Sequence, residues 1–488
     1  MNKPKDDLHR LIQLMTQAEK RYFKMHFALK QNVLTDLYEI INKMQVYDEE
    51  LLKSHLTKTT AKNLKVHKVQ LMDLLLRSLA SYHQKRTPAS RIRQGLEEVD
   101  LLITKQLHDA AFDRLQKLKQ FCLEYEEFTY LLEIIYKEYQ MQYIWIDKIG
   151  ISNFYAFSQI EEYLGKLKHQ NELSILNIKM LDTYRQHEYD ANSEEMRQFV
   201  YACMKSPLLQ QDQETFRAKL IKNMFYAQAY SVLKDKELEH FHRKNNLDLV
   251  EQRETFKEVS PFGYLAVLRN YANFCEENEH WDLLSETIQR AKDFVAKHPA
   301  WKIQLINFYQ SEVHMHFNLQ NFAYLQEVIV PAVAALVEQY HLSGQRIVQI
   351  INLDFALLYI TIGEPAIAQK YLWQLHEAAD DIKAYFEEIY KIVEIINHFE
   401  SGDYFLVENL INAIRRKKGN QVSSFYNACL QWFKKLSTHP ADQAKLAQEL
   451  LDQLPGFEKD KVLNIFTYFR LERWLHAKAA GVPFVQKK

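Results

Sequence analysis

The stretch YLAVLRNYANFCEENEHWDLLSETIQRAKDFVAKHP, residues 264–299, decides the fold prediction for this chain. It predicts two amphipathic helices joined by a short polar turn. In the second helix Leu284, Ile288 and Ala291 recur at steps of four and three, which places them on one helix face. Pro299 has no amide hydrogen and is expected to stop that helix. Because a lone pair of helices cannot bury its apolar face, the stretch predicts neighbouring pairs of the same kind.

The composition favours helices throughout the chain. Glycine is scarce, 10 in 488 residues, whereas an average protein contains about 7% glycine. Parallel α/β enzymes need glycine at tight turns and phosphate loops, so this count argues against that class. Hydrophobic residues make up 47% of the chain, which argues against disorder. The abundance of Leu, Glu, Lys and Gln, all good helix formers, therefore predicts an all-α fold.

Charge is unevenly distributed along the chain, although the net charge is only −1. Residues 1–93 carry 18 Lys or Arg and 9 Asp or Glu, so the remainder is acidic. Such asymmetry indicates a separate role for the amino-terminal part, although a solvated basic surface has the same composition. With the sequence Lys-Arg-Thr-Pro at residues 85–88, it predicts a basic helical domain at residues 1–86 and a helical array at residues 87–488.

Local signals predict where individual helices begin and end. Thr16 and Glu19 have the spacing of a capping box, in which each side chain accepts from the other residue's amide. Asp48 is expected to cap a short helix. Further along, the apolar periodicity predicts a pair of helices at Phe154–Leu167 and Ser174–His187.

Cysteine usage and hydropathy indicate a cytoplasmic protein without a membrane-spanning segment. The charged start MNKPKDDLHR is followed by no apolar run, and the longest uncharged apolar run, residues 328–337, is too short to span a bilayer. The cysteines form no paired motif and lie in apolar helical contexts, so they are expected to be small buried hydrophobic residues. They are Cys122, Cys203, Cys275 and Cys429.

The helical pairs recur along the chain at intervals of about 41, 43 and 39 residues. These intervals separate the predicted turn positions Glu279, Gln320, Gly363 and Gly402. Five residues after each turn position lies a small or aliphatic residue that would let the second helix pack closely on the first. These residues are Leu284, Leu325, Ala368 and Val407, and Ala272 and Ala356 lie seven residues before a turn position.

Ala356, Tyr359, Gly363 and Ala368 occur at the spacings of the tetratricopeptide repeat consensus, and the chain resembles that family. The resemblance is clearest over residues 264–419, although these repeats are longer than the family's period of 34 residues. It implies a right-handed solenoid of helical hairpins whose concave face binds peptides or proteins. The opening block also resembles the start of bacterial solenoid proteins. The alternative is an irregular helical bundle without a groove.

The resemblance implies a partner-binding groove on the first helix of each pair. Peptide-binding members of the family use an amide to bind the peptide backbone and a cation to bind its carboxylate, and Arg269 and Asn273 have that pairing. Gln310 and His314 are the equivalent residues in the next repeat. The two following repeats have apolar residues at the equivalent positions, which are either apolar anchor sites for a ligand or part of the hydrophobic core: Leu353, Leu357, Ile392 and Ile396.

A second candidate binding surface is basic. Lys58, Lys62 and Lys65 recur at steps of four and three on one predicted helix, with Lys68 at the flank. A small helical domain with a basic helix, joined to helical repeats, resembles bacterial regulators whose repeats sense a peptide and whose first domain binds DNA. A clear helix-turn-helix is not evident in the sequence, and a run of cations is also typical of a solvated face.

No local motif predicts catalysis. The sequence contains no GxxxxGK, GxSxG or HExxH. Two Glu-x-x-His segments, at residues 237–240 and 277–280, have the spacing found in di-iron bundles, but the second falls on a predicted turn. We therefore expect no catalytic residue, metal or cofactor.

Three hypotheses for the function follow. The first is an adaptor or scaffold that binds a protein or peptide in the groove. The second is a peptide-responsive regulator that binds nucleic acid through residues 1–86. The third, an enzyme with a site assembled from distant residues, has no support in any local motif.

Overall fold

The computed structural model describes residues 7–27, 32–45, 47–57, 61–83, 87–144, 153–186, 194–211, 215–376, 380–418, 424–439, 442–457 and 471–481. All regular secondary structure in these ranges is helical, which confirms the all-α prediction. Contacts group the chain into two compact units, Met1–Tyr264 and Leu265–Lys488. The predicted domain boundary after residue 86 falls within the first unit and stays a prediction.

The first unit contains fourteen helices among its described residues. They are α1 (Asp7–Leu14), α2 (Gln17–His26), α3 (Val33–Lys43), α4 (Glu49–Ser54), α5 (Leu64–His83), α6 (Pro88–Thr104), α7 (His108–Glu124), α8 (Phe128–Ile144), α9 (Asn153–Gln186), α10 (Glu194–Met204), α11 (Pro207–Gln210), α12 (Phe216–Leu233), α13 (Lys236–Glu251) and α14 (Glu254–Val259). The helices α1 to α5 share a hydrophobic core that includes Ile12, Phe23, Tyr38 and Leu71. A separate core follows, around Ile92, Leu115 and Ile134.

The remaining helices begin with α15, which crosses the division between the units. They are α15 (Pro261–Glu277), α16 (Trp281–Lys297), α17 (Leu305–Asn318), α18 (Phe322–Tyr340), α19 (Arg346–Thr361), α20 (Pro365–His376), α21 (Asp380–Glu400), α22 (Tyr404–Lys418), α23 (Ser424–Thr438), α24 (Gln443–Gln453) and α25 (Leu471–Ala479). A 3-10 turn at Pro299–Gln304 follows α16, so the helix ends where Pro299 was predicted to stop it.

The predicted helix caps in the amino-terminal block are confirmed. The Thr16 amide donates to Glu19 Oε2 at 2.7 Å, and the Glu19 amide donates to Thr16 Oγ1 at 3.3 Å. Asp48 Oδ1 accepts hydrogen bonds from the amides of Glu50 and Leu51 at 3.0 and 3.1 Å. Each cap satisfies backbone N–H groups that the first helical turn leaves without partners.

One predicted helix pair is wrong. The residues predicted as Phe154–Leu167 and Ser174–His187 form the single 34-residue helix α9 as far as Gln186, and His187 lies outside the described residues. The presumed linker contains no proline, and a lone glycine, Gly165, is tolerated within a helix. The polar residues in mid-helix therefore continue α9 rather than form a turn, and one of them, Gln170, is buried and donates to Thr215 Oγ1 at 3.0 Å.

The predicted turns share one backbone geometry. The turn residues all adopt the left-handed conformation, with φ of 58° at Glu279, 58° at Gln320, 80° at Gly363 and 75° at Gly402. The Gly363 amide donates to the Ile360 carbonyl at 3.1 Å, and the Glu364 amide donates to the Tyr359 carbonyl at 2.8 Å. This is a Schellman motif, and the same pair of hydrogen bonds recurs at the other three turns. The alignment of the turns is confirmed.

Close packing within the hairpins is also confirmed. The residues five positions after each turn have no exposed surface: Leu284, Leu325, Ala368 and Val407. Ala272 and Ala356, seven positions before a turn, are equally buried. Small or aliphatic side chains at these positions let the two helices of a hairpin approach and exclude water between them.

Neighbouring hairpins contact each other through their first helices. The helix α17 packs against α19, α19 against α21, and α21 against α23. Within hairpins, α19 packs against α20 and α21 against α22. This pattern within the second unit is compatible with a helical-repeat protein.

Two further sequence predictions concern burial. Cys122, Cys275 and Cys429 are buried as predicted, whereas Cys203 is only half-buried.

By length and composition alone, α18 is long and apolar enough to cross a membrane, and no other helix among the described residues meets that criterion. The apolar residues that α18 buries recur at helical spacing, as in an amphipathic helix: Leu325, Ile329, Val333 and Leu336.

The left-handed turn predicts opposite effects of glycine replacement at two sites. A Cβ at Gly363 would meet no atom within 4 Å, so Gly363→Ala adds only backbone strain. We expect it to lower the free energy of unfolding by about 1 kcal/mol, because the left-handed conformation costs an L-residue about 1–2 kcal/mol. A Cβ at Gly165 would also meet no atom within 4 Å, but this glycine lies inside α9. Gly165→Ala should therefore raise the free energy of unfolding by about 0.5–1 kcal/mol.

Urea unfolding of each variant, monitored by hydrogen–deuterium exchange within each unit, measures these changes in the free energy of unfolding. A loss at both positions, or no loss at Gly363, would contradict the assigned turn geometry.

Candidate functional site: the polar spine of the first helices

Polar side chains line the facing sides of three consecutive first helices. On α15, Arg269, Asn273 and Glu276 follow at steps of four and three and therefore share a face. On α17 the facing residues are Gln310, Ser311 and His314, and α19 contributes Asp354. We call this set the polar spine: Arg269, Asn273, Glu276, Gln310, Ser311, His314 and Asp354. It contains all four residues predicted to line the groove.

Arg269 joins α15 to α17. Its guanidinium donates to the backbone carbonyl of Asn307, to Ser311 Oγ at 3.1 Å and to Gln310 Oε1 at 3.3 Å. Burial lowers the pKa of Arg269, and the nearby Glu276 carboxylate opposes that effect. The structure thus engages this cation between helices, and its predicted role of binding a peptide carboxylate stays a prediction.

His314 lies between two carboxylates from different helices. Its Nδ1 is 2.5 Å from Glu276 Oε1 on α15, and its Nε2 is 3.2 Å from Asp354 Oδ2 on α19. Ser311 Oγ donates to the second oxygen of Glu276 at 2.5 Å. Only the protonated imidazolium can donate from both ring nitrogens. The ring therefore connects three helices as a cation.

The electrostatics of the spine agree with a charged imidazole. Burial by itself lowers the pKa of His314, but the Asp354 and Glu276 carboxylates outweigh it and raise the pKa to about 10. Burial raises the pKa of Glu276, yet the His314, Ser311 and Arg269 groups around it hold that pKa below its usual value. The side chains of His314 and Asp354 are 12% and 0% exposed, so solvent screens their ion pair little.

Two side-chain amides of the spine keep free donors. Asn273 is half-buried and makes no side-chain hydrogen bond to the described residues. Gln310 accepts from Arg269 through Oε1, while its Nε2 has no partner among the described residues. These amides lie on adjacent first helices, and an amide group can both donate and accept. They are the side chains of the spine whose N–H donors have no partner among the described residues.

The apolar half of the predicted groove does not exist as an open surface. Leu353 and Leu357 are each 1% exposed, and Ile392 and Ile396 are 0% exposed. The interpretation of these residues as anchor sites is therefore wrong, and they are core. The helix α19 is buried nearly all around between Val348 and Thr361, so its periodicity could not distinguish a groove from a core.

The basic surface is only partly available. Lys62 and Lys65 are exposed, but Lys68 donates to the hydroxyl of Tyr47 at 2.9 Å and lies 4.7 Å from the centroid of that ring. Lys58 and the neighbouring Thr59 and Thr60 lie outside the described residues. Nucleic-acid binding by this surface stays a prediction.

Three members of the spine were missing from the predicted site. Glu276 lies one turn after Asn273 on the same helix face, which was a usable signal. Asp354 is the single carboxylate within the apolar run IVQIINLDFALLYI, and an isolated charge there indicates a buried partner. Ser311 carried no comparable signal. No group of three or more His, Cys, Asp or Glu residues in the described ranges is arranged to hold a metal ion.

Comparison of the chain with protein-family models and with curated proteins gave no match. The functional interpretation therefore depends on the geometry of the chain itself. In that geometry His314 is paired with Glu276 and Asp354, and Arg269 donates to α17. The two amides on α15 and α17 are not fully paired among the described residues.

The His314 ion pairs predict a pH dependence of stability. Because the pKa of His314 is about 10 in the folded protein and about 6.5 in an unfolded chain, its contribution is complete below pH 6.5 and is lost as pH rises through about 10. The free energy of unfolding of the wild type, minus that of His314→Gln, should fall by roughly 1 kcal/mol per pH unit between pH 7 and 9.

His316→Gln is the matched control on the same helix. Burial lowers the pKa of His316, so the residue is neutral above pH 7 and its replacement should leave the pH slope unchanged. Urea titrations at each pH give both slopes. A difference between wild type and His314→Gln that does not vary with pH would show that the imidazole is neutral.

A double-mutant cycle tests the contact between His314 and Asp354 directly. Single variants His314→Gln and Asp354→Asn and their combination should give a coupling energy of about 0.5–3 kcal/mol in urea unfolding. The same cycle with His316→Gln in place of His314→Gln should give no coupling, since His316 and Asp354 are not paired. Equal coupling in both cycles would place the interaction elsewhere.

Proposed function

We propose that this chain is a tetratricopeptide-like helical-repeat protein that acts as an adaptor or scaffold. Its ligand would be an extended segment of a peptide or protein, bound along the first helices of the repeats between residues 264 and 419. The recurring Schellman turns and the contacts between successive first helices support a stack of hairpins.

The observation that carries the proposal is the pair of available amides on α15 and α17. An extended peptide exposes backbone N–H and C=O groups along its length, and an amide side chain can bind both. Asn273 and Gln310 offer such groups on neighbouring helices. The ligand would therefore be recognised mainly through its backbone.

The charged members of the spine favour such binding by holding the amides in place. Arg269 joins α15 to the backbone of α17, and His314 joins α17 to α15 and α19. Binding groups on rigid helices lose little conformational freedom when a ligand arrives. In this proposal the charges position the site and the amides contact the ligand.

The burial of Leu353, Leu357, Ile392 and Ile396 limits the kind of ligand. A partner with a row of large apolar anchors finds no pocket at these positions. A polar or mixed segment bound through its backbone matches the half-buried amides of the spine better.

Asn273→Ala tests the proposal. The full chain is titrated into an array of fluorescent dodecapeptides, and fluorescence anisotropy gives the affinities. Loss of hydrogen bonds to the peptide backbone should weaken binding by about tenfold, corresponding to about 1.4 kcal/mol. Because the side chain of Asn273 makes no hydrogen bond within the described residues, its replacement should leave the unfolding midpoint unchanged.

Gln374→Ala is the matched control, since Gln374 is an exposed amide on the second helix α20. It should bind the same peptides as the wild type with the same affinity. If neither Asn273→Ala nor Gln374→Ala changes the peptide affinity, the spine is not the binding surface. Absence of binding to any peptide would remove the proposed function.

A further inference from the structure

A basic pocket of about 240 Å³ lies between α2 and α3 in the amino-terminal block. Three cations contribute to its lining, and no carboxylate is among the described residues that line it. The lining residues are Gln17, Lys20, Arg21, Lys24 and Met25 from α2, and Tyr38 and Asn42 from α3. The pocket is separate from the predicted surface of Lys62 and Lys65.

Two of the three cations have no anionic partner. Lys24 forms an ion pair with Glu39 at 2.7 Å, but Lys20 and Arg21 form no ion pair or hydrogen bond through their side chains with the described residues. Lys20 is half-buried, and both this burial and the neighbouring Lys24 lower its pKa. An anion in the pocket would offset that unfavourable concentration of positive charge.

Tyr38, which lines the pocket, has an unused hydrogen-bond donor. Its side chain is fully buried, yet its hydroxyl has no hydrogen-bond partner among the described residues. Burial, with a contribution from Glu39, raises the pKa of Tyr38 to about 12, so the hydroxyl keeps its proton at neutral pH. Buried polar atoms are nearly always paired in folded proteins. This atom therefore points to a group that is supplied from outside.

Asn42 adds a second unpaired polar atom beside Tyr38. Its Oδ1 is buried and has no partner among the described residues. Rotation of the amide group by half a turn would present its N–H donors at the same place. The pocket thus combines two cations of α2, Lys20 and Arg21, with two polar side chains of α3, Tyr38 and Asn42, which lie one helix turn apart.

We propose that this pocket binds the phosphate group of a phosphate monoester. A monoester carries nearly two negative charges and three strong acceptor oxygens, which match the two unpaired cations and the Tyr38 hydroxyl. A phosphodiester carries one charge and a substituent on each side. The two charges of a monoester match Lys20 and Arg21 better than the single charge of a diester does. This proposal does not depend on peptide binding by the second unit.

Isothermal titration of the full chain with phenyl phosphate, in a buffer without phosphate or sulfate, tests the proposal. Titrations with diphenyl phosphate, a diester, and with inorganic phosphate, the free ion, are run for comparison. We expect saturable binding of phenyl phosphate and of inorganic phosphate, with diphenyl phosphate binding at least tenfold more weakly. Tyr38→Phe and Arg21→Met should each weaken binding of phenyl phosphate by about tenfold, because each removes a charge-assisted hydrogen bond.

Lys65→Met is the matched control, because it removes an exposed cation of the same block that does not line the pocket. It should bind phenyl phosphate as the wild type does. Arg21 is exposed, so Arg21→Met keeps the test valid if Tyr38→Phe proves unstable. Equal weakening by Lys65→Met and Arg21→Met, equal binding of the diester, or no binding at millimolar concentrations would each overturn the proposal.

Discussion

The imidazolium of His314, held between the carboxylates of Glu276 and Asp354, is the interaction on which the alignment of three first helices depends. Moving a charge from water into a protein interior costs more free energy than a single ion pair recovers. A buried charge is therefore retained only where its partners are well placed. A shift of α15 or α19 by one turn along α17 would leave a buried charge without its partner. The constraint therefore acts on helix register more than on net stability.

This long-range constraint complements a local one. Each turn ends its first helix with a residue in the left-handed conformation and returns the chain through two backbone hydrogen bonds. That geometry joins the two helices of a hairpin, and the fully buried Leu284, Leu325, Ala368 and Val407 seal the contact between them. Turns define each hairpin, while the polar spine aligns one hairpin with the next.

The two proposed sites differ in what their polar groups already contact. In the spine, the charges of Arg269, Glu276 and His314 are used within the protein, so ligand recognition falls to Asn273 and Gln310. In the α2–α3 pocket, Lys20 and Arg21 have no partner in the described structure, so the ligand itself must supply the charge. A neutral backbone suits the first arrangement and an anion suits the second.

The helical class, the capping box at Thr16, the left-handed turns and the buried positions of each hairpin could all be predicted from the sequence, because they depend on residues within two helical turns of one another. The prediction was wrong at α9, where polar residues continue a helix, and it left two alternatives open at Leu353, because a groove and a core have the same periodicity. Only the tertiary structure brought Glu276, His314 and Asp354 together, since 38 and 40 residues separate the partners. Pairing at that distance depends on how whole helices pack, which no local spacing encodes.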